Sequence, residues 1–211
     1  MTPHELSAHT LPALDDATRA LVRLSAVVTA GSEGEVRDAL AQLAPRIPPA
    51  WIDELLLQSY LFAGFPRALN ATREWRRIGP SAPAQADDGR GVDAWRRDGE
   101  RTCAAVYGAM YDRLRTNIRG LHPLLDEWMI TEGYGKVLSR AGLDLARREL
   151  CIVAACAAAG QERQLHSHLH GALNVGAAPA AVDETLAAIA DLIGEAAAHS
   201  ARLLWARVRG K

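Results

Sequence analysis

Glycine and proline divide this chain into successive segments that each have the spacing of an amphipathic helix. Leu21, Leu24 and Val28 fall on one stripe of the segment that Gly31 ends, as on one face of a helix. Apolar residues make up 49% of the chain and aromatic residues only 5%, and Ala and Leu dominate the apolar part. Both are strong helix formers, whereas strands favour the β-branched and aromatic residues that are sparse here. We therefore predict an all-α fold.

The positions of glycine and proline predict where the helices begin and end. We predict helices over 15–30, 33–43, 51–62, 64–77, 92–118 (one long helix or two joined ones), 123–128, 144–160, 161–174 and 179–193, with a C-terminal helix after Gly194. Gly133 and Gly135 flank Tyr134, which predicts a turn or a helix end there. The segment 79–91 (GPSAPAQADDGRG) has no periodicity and predicts a linker. It would separate a first unit, 1–78, from a second, 92–211.

The two units contain the same elements in the same order. Residues 22–40 align with 149–169, and Gly31 and Gly160, which set the register, are 129 residues apart. WIDELL over 51–56 and AVDETL over 181–186 follow at nearly the same offset. Helix, glycine, helix and proline-started helix thus recur, which predicts two related repeats. The alternative is a chance likeness between amphipathic helices rich in Ala and Leu.

The charge balance argues against two classes of partner. Lys and Arg number 24 against 25 acidic residues, for a formal net charge of −1, so no strong field would draw the chain to nucleic acid or an anionic membrane. No apolar run reaches the ~20 residues that span a bilayer. The first ten residues, MTPHELSAHT, lack the pattern of a signal peptide, and we expect a cytoplasmic location.

The three cysteines do not have the pattern of a disulfide framework. Cys103, Cys151 and Cys156 are odd in number and irregularly spaced, which fits a reducing compartment. Cys151 and Cys156 lie among Ala, Ile and Val on one predicted helix. We interpret them as small, buried apolar side chains.

Glu149 and His168 are the pair of residues that could carry chemistry. Glu149 lies inside an apolar run about 11 residues before Gly160, and His168 lies about 8 residues after it. If the two helices pack antiparallel, the two heights differ by only about 4–5 Å at ~1.5 Å per residue. A carboxylate can hold an imidazole in one tautomer, which suits a general acid–base. The alternative is a buried polar pair whose two members only satisfy each other.

A second group of residues on the same helix suggests a metal site. Glu162, His166 and His170 are spaced by four residues and would share one face, while His168 points to the opposite one. Carboxylate and imidazole ligands at this spacing suit zinc, but a fourth ligand is not evident. We favour a solvated polar stripe and predict no metal.

Arginines precede and adjoin Glu149. Arg140, Arg147 and Arg148 could recognise a substrate carboxylate through paired hydrogen bonds. The alternative for each arginine is a salt bridge to Asp144 or Glu149.

The second unit resembles a known family. Arg-Arg-Glu-Leu over 147–150, an Ala-rich helix, Gly160 and His-x-x-x-Ala-Leu-Asn-x-Gly over 168–176 resemble the carboxymuconolactone decarboxylase/alkylhydroperoxidase D superfamily. Residues 134–144 are similar to the segment that precedes this motif in the decarboxylase branch, and 55–71 to that branch's C-terminal signature. The resemblance implies an all-α, alkylhydroperoxidase D-like helical array and obligate oligomers, commonly trimers or hexamers.

The departures from the family restrict the chemistry. The peroxidase branch carries a redox Cys-x-x-Cys where this chain has Gln161 and Gln164, and an amide cannot replace a thiolate nucleophile. Disulfide peroxidase activity is therefore a weaker alternative.

The first repeat departs further, because Ala20 and Ala39 stand where the Glu and His should be. We expect this repeat to complete the core and to shape the pocket with Phe62, Phe65 and Arg67. The alternative is that both phenylalanines are plain core residues.

The resemblance implies a lyase that removes carbon dioxide from a small carboxylated lactone or a related unsaturated acid. His168 would donate the proton, Glu149 would orient it, and Arg140 or Arg148 would anchor the carboxylate. Tyr134 would place its phenol at the pocket mouth, and no cofactor would be needed. We expect a homotrimer or a similar ring. The rivals are an antioxidant peroxidase and a non-catalytic scaffold or ligand-binding protein of the same fold.

Overall fold

The computed structural model describes residues 10–80 and 89–210, and nearly all of them are helical. The helices are α1 Asp16–Ala30, α2 Glu33–Leu43, α3 Pro49–Ala63, α4 Phe65–Ile78, α5 Val92–Tyr107, α6 Tyr111–Leu121, α7 Pro123–Trp128, α8 Leu145–Ala158, α9 Glu162–Asn174, α10 Pro179–Ile193 and α11 Glu195–Arg209. Short 3₁₀ turns occupy Ala44–Arg46 and Gly108–Met110, and a π-helix spans Met129–Leu138. Within the described residues, the β-structure is one isolated bridge between Leu11 and Ala177. The all-α prediction is confirmed.

An aspartate side chain caps the first turn of α1 and of α8. The Asp15 carboxylate accepts from the Thr18 backbone N–H at 2.6 Å, and the Asp144 carboxylate accepts from that of Arg147 at 3.0 Å. Each satisfies an N–H that the first turn of a helix leaves without a partner. Asp15 and Asp144 are 129 residues apart. The equivalent helices of the two repeats, α1 and α8, therefore begin in the same way.

The four helices α1–α4 recur as α8–α11. Gly64 and Gly194 separate the last two helices of each set with nearly the same backbone, φ 83° and φ 78°, in the region that favours glycine. The Trp75 indole donates to Asp53 at 2.9 Å, and the Trp205 indole donates to Asp183 at 2.6 Å. The array of two repeats is therefore present in the structure. Helices α5–α7 and the π-helix have no counterpart among the described residues of the first half.

Some predicted boundaries fall outside what the structure describes. Of the predicted linker, residues 81–88 lie outside the described residues. The division into units 1–78 and 92–211 stays a prediction.

The two repeats exchange ion pairs across their contact. Arg148, at the start of α8, binds Glu54 of α3 at 2.8 Å. Arg19, at the equivalent place in α1, binds Glu184 of α10 at 2.6 Å. Each repeat thus supplies a guanidinium to a carboxylate of the other, and α1 packs directly against α8.

The prediction of a turn around Tyr134 is wrong. Gly133, Tyr134 and Gly135 lie inside the π-helix, which packs on α5. A side chain on Gly135 would overlap the Trp95 carbonyl oxygen, and one on Gly99 would overlap that of Ile130. These two glycines therefore allow two backbones to approach closely, whereas Gly133 has open space around it.

The predicted segment 92–118 is two joined helices. Gly108, at φ 51°, separates α5 from α6. Across the described ranges, no helix has the length and hydropathy needed to cross a membrane.

Candidate functional site

Glu149 of α8 and His168 of α9 meet in the interior of the second repeat. His168 Nδ1 lies 2.8 Å from Glu149 Oε2. Glu149 is fully buried and His168 is 5% exposed. An ionised carboxylate can only accept hydrogen bonds, so a hydrogen bond at this distance places a proton on Nδ1. The structure thus brings together the two residues that the spacing around Gly160 predicted.

The hydrogen bond between Glu149 and His168 uses one oxygen of the carboxylate and one nitrogen of the ring. Glu149 Oε1 is buried and has no hydrogen-bond partner among the described residues. Glu149 engages Nδ1 of the His168 ring, so Nε2 takes no part in this hydrogen bond. A carboxylate on Nδ1 and an Nε2 outside that hydrogen bond form the arrangement in which an imidazole exchanges protons with a bound molecule.

Gly171 makes room for the carboxylate. A side chain at Gly171 would begin 2.6 Å from Glu149 Oε2 and 2.7 Å from Val106 Cγ1. Glycine destabilises a helix interior by about 1 kcal/mol. Its presence three residues after His168 is therefore a sequence signal for this close contact, and sequence reasoning missed it.

Aromatic rings surround the imidazole. The Phe62 ring stands nearly perpendicular to His168, with centroids 5.7 Å apart, and the Tyr107 ring lies at 6.4 Å. Tyr107 in turn contacts Tyr134, with centroids 6.2 Å apart. Burial raises the pKa of both phenols, so both stay protonated. Tyr134 is therefore a buried member of this aromatic wall, and sequence reasoning missed Tyr107.

The predicted arginine anchors are already engaged. The Arg148 guanidinium is fully buried and donates to Glu54 at 2.8 Å and to Gln58 Oε1 at 3.0 Å. Arg140 donates to both Glu54 oxygens at 3.0 Å. Neither arginine is therefore free to anchor a substrate carboxylate, which corrects that expectation. Both arginines form ion pairs with Glu54, not with Asp144 or Glu149 as the alternative had it.

Arg147 is the arginine for which the predicted salt bridge is found. It binds Asp144 at 2.8 Å and also Asp15 at 2.8 Å. Asp144 lies one helical turn before Arg147, so this contact is local. Glu54, in contrast, reaches Arg148 from a distant part of the sequence, which spacing could not predict.

Phe65 does not join the site. Its side chain is 63% exposed and stacks on Tyr60, with centroids 4.7 Å apart. Because Gly64 ends α3, Phe65 belongs to α4, and its ring lies on the α3 residue Tyr60 rather than on His168. Phe62, not Phe65, is the phenylalanine of the first repeat that contacts His168.

The polar stripe on α9 shows no metal-binding arrangement. The His166 and His170 rings lie 5.0 Å apart, and Glu162 accepts from the Ser200 hydroxyl at 2.5 Å. No group of three or more His, Cys, Asp and Glu side chains in the described ranges could hold a metal ion. His168 lies on the opposite, buried face, as predicted.

The three cysteines are buried thiols. Burial raises the pKa of Cys103 and of Cys156 to about 12, and that of Cys151 also rises. None of the three forms a disulfide. A thiol that stays protonated is a poor nucleophile, so the geometry gives the peroxidase alternative no support.

A cavity of about 310 Å³ lies away from the pair. It is bounded by α1, α2 and the end of α10, and its lining includes Ala39, the residue that replaces the histidine in the first repeat. A smaller cavity of about 30 Å³ lies between α1, α2 and α4. Neither cavity is lined by Glu149 or His168. The pair is nearly enclosed, since Glu149 is fully buried and His168 is 5% exposed.

Comparisons with known proteins agree with the motif. The model of the carboxymuconolactone decarboxylase family matches residues 124–207, which include both Glu149 and His168. "Peroxisomal protein 2" of Schizosaccharomyces pombe is 32% identical over 149 residues, which cover 68% of this chain and 68% of that protein. With the two-repeat helical array and the Glu–His pair at the family's spacing, these matches show that the chain belongs to the carboxymuconolactone decarboxylase family.

Proposed function

We propose that the protein is a cofactor-independent lyase that decarboxylates a small carboxylated lactone or a related unsaturated acid. The observation that carries this proposal is the hydrogen bond from His168 Nδ1 to the buried Glu149, in which Nε2 takes no part. Membership of the family supports the same reaction class.

The chemistry requires one proton donor. Loss of carbon dioxide breaks a carbon–carbon bond and leaves its electron pair on carbon, delocalised into the substrate's carbonyl as a dienolate. Protonated His168 donates its Nε2 proton to that carbon, and the neutral imidazole then regains a proton from water. Glu149 stabilises the protonated ring and fixes its orientation, which are the two tasks of a carboxylate in such a pair.

The aromatic wall favours this reaction over simple binding. Phe62 and Tyr107 give the site apolar faces next to the imidazole, and Arg140 and Arg148 are held by Glu54. A substrate carboxylate here would be poorly solvated, and its charge is dispersed as carbon dioxide leaves.

The test is turnover of carboxymuconolactone, followed by carbon dioxide release. His168→Gln should lower kcat by about 10²–10⁴-fold, the usual contribution of a general acid. His166→Gln is the matched control, because His166 lies two residues away on the other face of α9; its turnover should equal that of the wild type. Full activity of His168→Gln would contradict the proposed role.

A second candidate is a non-catalytic ligand-binding protein or scaffold of the same fold. The observation that favours it is the near enclosure of the pair, with Glu149 fully buried and His168 5% exposed. The two candidates differ in one measurement. If carboxymuconolactone and related lactone acids neither react nor alter the NMR signals of His168, the scaffold is the better description.

We also propose that the chains assemble as a homotrimer or a similar ring. Several large apolar side chains of α3, α4, α6 and α7 are exposed in the single chain: Leu57, Phe65, Leu69, Leu121, Leu124, Leu125 and Trp128. Exposed apolar surface of this kind is typical of protein–protein contacts. Light scattering coupled to gel filtration should give three times the 22.7 kDa chain mass, and a monomer would refute the assembly.

The cytoplasmic location likewise stays a prediction; the yeast relative is named as a peroxisomal protein.

A further inference from the structure

One face of α3 carries three buried or half-buried residues that all reach the second repeat. Glu54, Gln58 and Phe62 are spaced by four residues and therefore share one side of the helix. Glu54 is 4% exposed and Gln58 is 2% exposed. All three come from the repeat that lacks the Glu–His pair, and all three make their contacts around that pair in the other repeat.

Glu54 and Gln58 hold the start of α8 through Arg148. The Arg148 guanidinium donates to Glu54 Oε2 at 2.8 Å and to Gln58 Oε1 at 3.0 Å, and Gln58 Nε2 donates back to the Arg148 carbonyl at 3.4 Å. The same guanidinium also donates to the Leu143 carbonyl at 3.0 Å. Both the side chain and the backbone of Arg148 are therefore fixed, and the next residue in the chain is Glu149.

The position of Glu54 is itself tightly determined. Arg140 donates to both of its oxygens. A side chain at Gly142 would begin 2.6 Å from Glu54 Cγ, so the absence of one there lets the carboxylate sit against the loop before α8. Burial lowers the pKa of Arg148, and the Glu54 carboxylate opposes that change, so Glu54 favours the charged guanidinium.

Phe62 completes the contact at the other member of the pair. Its ring edge meets the His168 ring at a centroid distance of 5.7 Å and an angle of 86°. This is the edge-to-face arrangement that aromatic rings prefer. One face of α3 thus fixes the residue before Glu149 at one end and the imidazole at the other.

We propose that the Glu54–Gln58–Phe62 face of α3 positions the Glu149–His168 pair, so that the repeat without the pair is a working part of the active site. Glu54 is a positioning residue, since it acts through Arg148, and Phe62 orients the imidazole directly. This inference rests on the proposed function for its kinetic consequences only. A displacement of about 1 Å of a catalytic group can lower turnover by ~10²-fold, so the positioning has a measurable effect.

The experiment compares Glu54→Gln with Glu184→Gln. Glu184 is the equivalent residue of the second repeat, and its partner Arg19 stands next to Ala20 instead of a catalytic glutamate. In each full-length variant, ¹⁵N NMR of the imidazole reports the tautomer of His168 and the exchange rate of its Nδ1 proton with water. Glu54→Gln should speed that exchange at least ~10-fold, and should lower kcat for carboxymuconolactone by a factor of about 10–10² with KM nearly unchanged. Glu184→Gln should change neither quantity.

The outcomes separate the two proposals. If Glu54→Gln folds, as judged by circular dichroism, and the Nδ1 proton exchanges at the wild-type rate, the positioning role is refuted. If Glu54→Gln does not fold, Phe62→Leu decides, because it removes the ring contact without leaving a buried charge unpaired; an unchanged tautomer and exchange rate would then refute the role. If the wild type has no turnover, the proposed lyase fails, while the NMR result still decides the positioning.

Discussion

The two repeats have the same skeleton and differ at the residues that could carry chemistry. Both have an aspartate cap, a glycine of positive φ before the last helix and a tryptophan bonded to an aspartate. Both keep an arginine that binds the other repeat, Arg19 in one and Arg148 in the other. The residue after that arginine is Ala20 in the first repeat and Glu149 in the second. The first repeat therefore keeps the contacts that hold the array together but lacks the pair that could react.

The retained ion pairs also differ, in their exposure to water. The Arg148 and Glu54 side chains are 0% and 6% exposed, whereas those of Arg19 and Glu184 are 43% and 34% exposed. A buried pair depends on both partners, because removal of one leaves an uncompensated charge, whereas an exposed pair is screened by water. Removing the carboxylate of the buried Arg148–Glu54 pair should therefore destabilise the fold more than removing that of the exposed Arg19–Glu184 pair.

The largest expected effect tests this difference. Glu54→Gln should lower the free energy of unfolding by about 3–5 kcal/mol, since it leaves Arg148 and Arg140 without their carboxylate in the interior. Glu184→Gln should cost about 1 kcal/mol or less, because Arg19 can be solvated. Urea denaturation followed by circular dichroism measures both.

An equal loss of unfolding free energy in Glu54→Gln and Glu184→Gln would contradict this difference between the two repeats. They would mean that burial does not control the strength of these pairs. The double variant Glu54→Gln with Arg148→Gln is the control for the unpaired charge. It should recover part of the loss, because one buried guanidinium is then removed together with its partner.

Loss of a tryptophan–aspartate hydrogen bond should also lower the free energy of unfolding, by less than Glu54→Gln and again more at the buried site. Trp75→Phe and Trp205→Phe each remove one indole donor. Asp53 is 9% exposed and Asp183 is 45% exposed, so water can replace the lost bond more easily at Asp183. We expect a cost of about 2 kcal/mol for Trp75→Phe and about 1 kcal/mol for Trp205→Phe. Thermal unfolding of the two variants side by side is the measurement, and a larger loss for Trp205→Phe would rule out this explanation.

Local features of the fold could be predicted from the sequence, because short-range signals control them. Asp144 and Pro179 mark helix starts, and the spacing about Gly160 is enough to bring Glu149 and His168 together. The π-helix around Tyr134 was not predictable in this way. Gly135 packs against Trp95 of α5, which is distant in the chain, whereas two glycines on either side of one residue locally suggest a turn.

The residues around Glu149 and His168 could be predicted only in part, because many of their contacts join distant parts of the sequence. Glu54 was aligned with Glu184 as a repeated residue, but its contact with Arg148 spans 94 residues and no local pattern reports it. Arg140 and Arg148 precede Glu149 closely enough in the sequence to suggest substrate anchors, but in the structure both bind Glu54 of the first repeat. Phe62 and Phe65 are three residues apart, and only the break at Gly64 decides which of them faces His168.

The smallest expected effect on turnover comes from replacing the cysteines, which have no part in the proposed chemistry. Burial raises the pKa of Cys103 and Cys156 to about 12, so at pH 8 the folded protein holds neutral thiols that react slowly with thiol reagents. An ordinary thiol has a pKa of about 8.5 when unfolded. The stability that these protonated groups contribute is therefore complete below pH ~8.5, and is lost as the pH rises towards 12.

Replacing all three cysteines with alanine should leave turnover of carboxymuconolactone within about twofold of wild type, because no thiolate takes part in acid–base chemistry at His168. The decline in unfolding free energy between pH 8.5 and 10.5 should become shallower in this variant. Urea denaturation at the two pH values measures that slope, and labelling at pH 8 with and without urea measures thiol access. Rapid labelling of the folded wild type, together with peroxide consumption that the variant loses, would restore the thiol peroxidase. It would also shift the chemistry of the second repeat from the Glu149–His168 pair to the interior of α8.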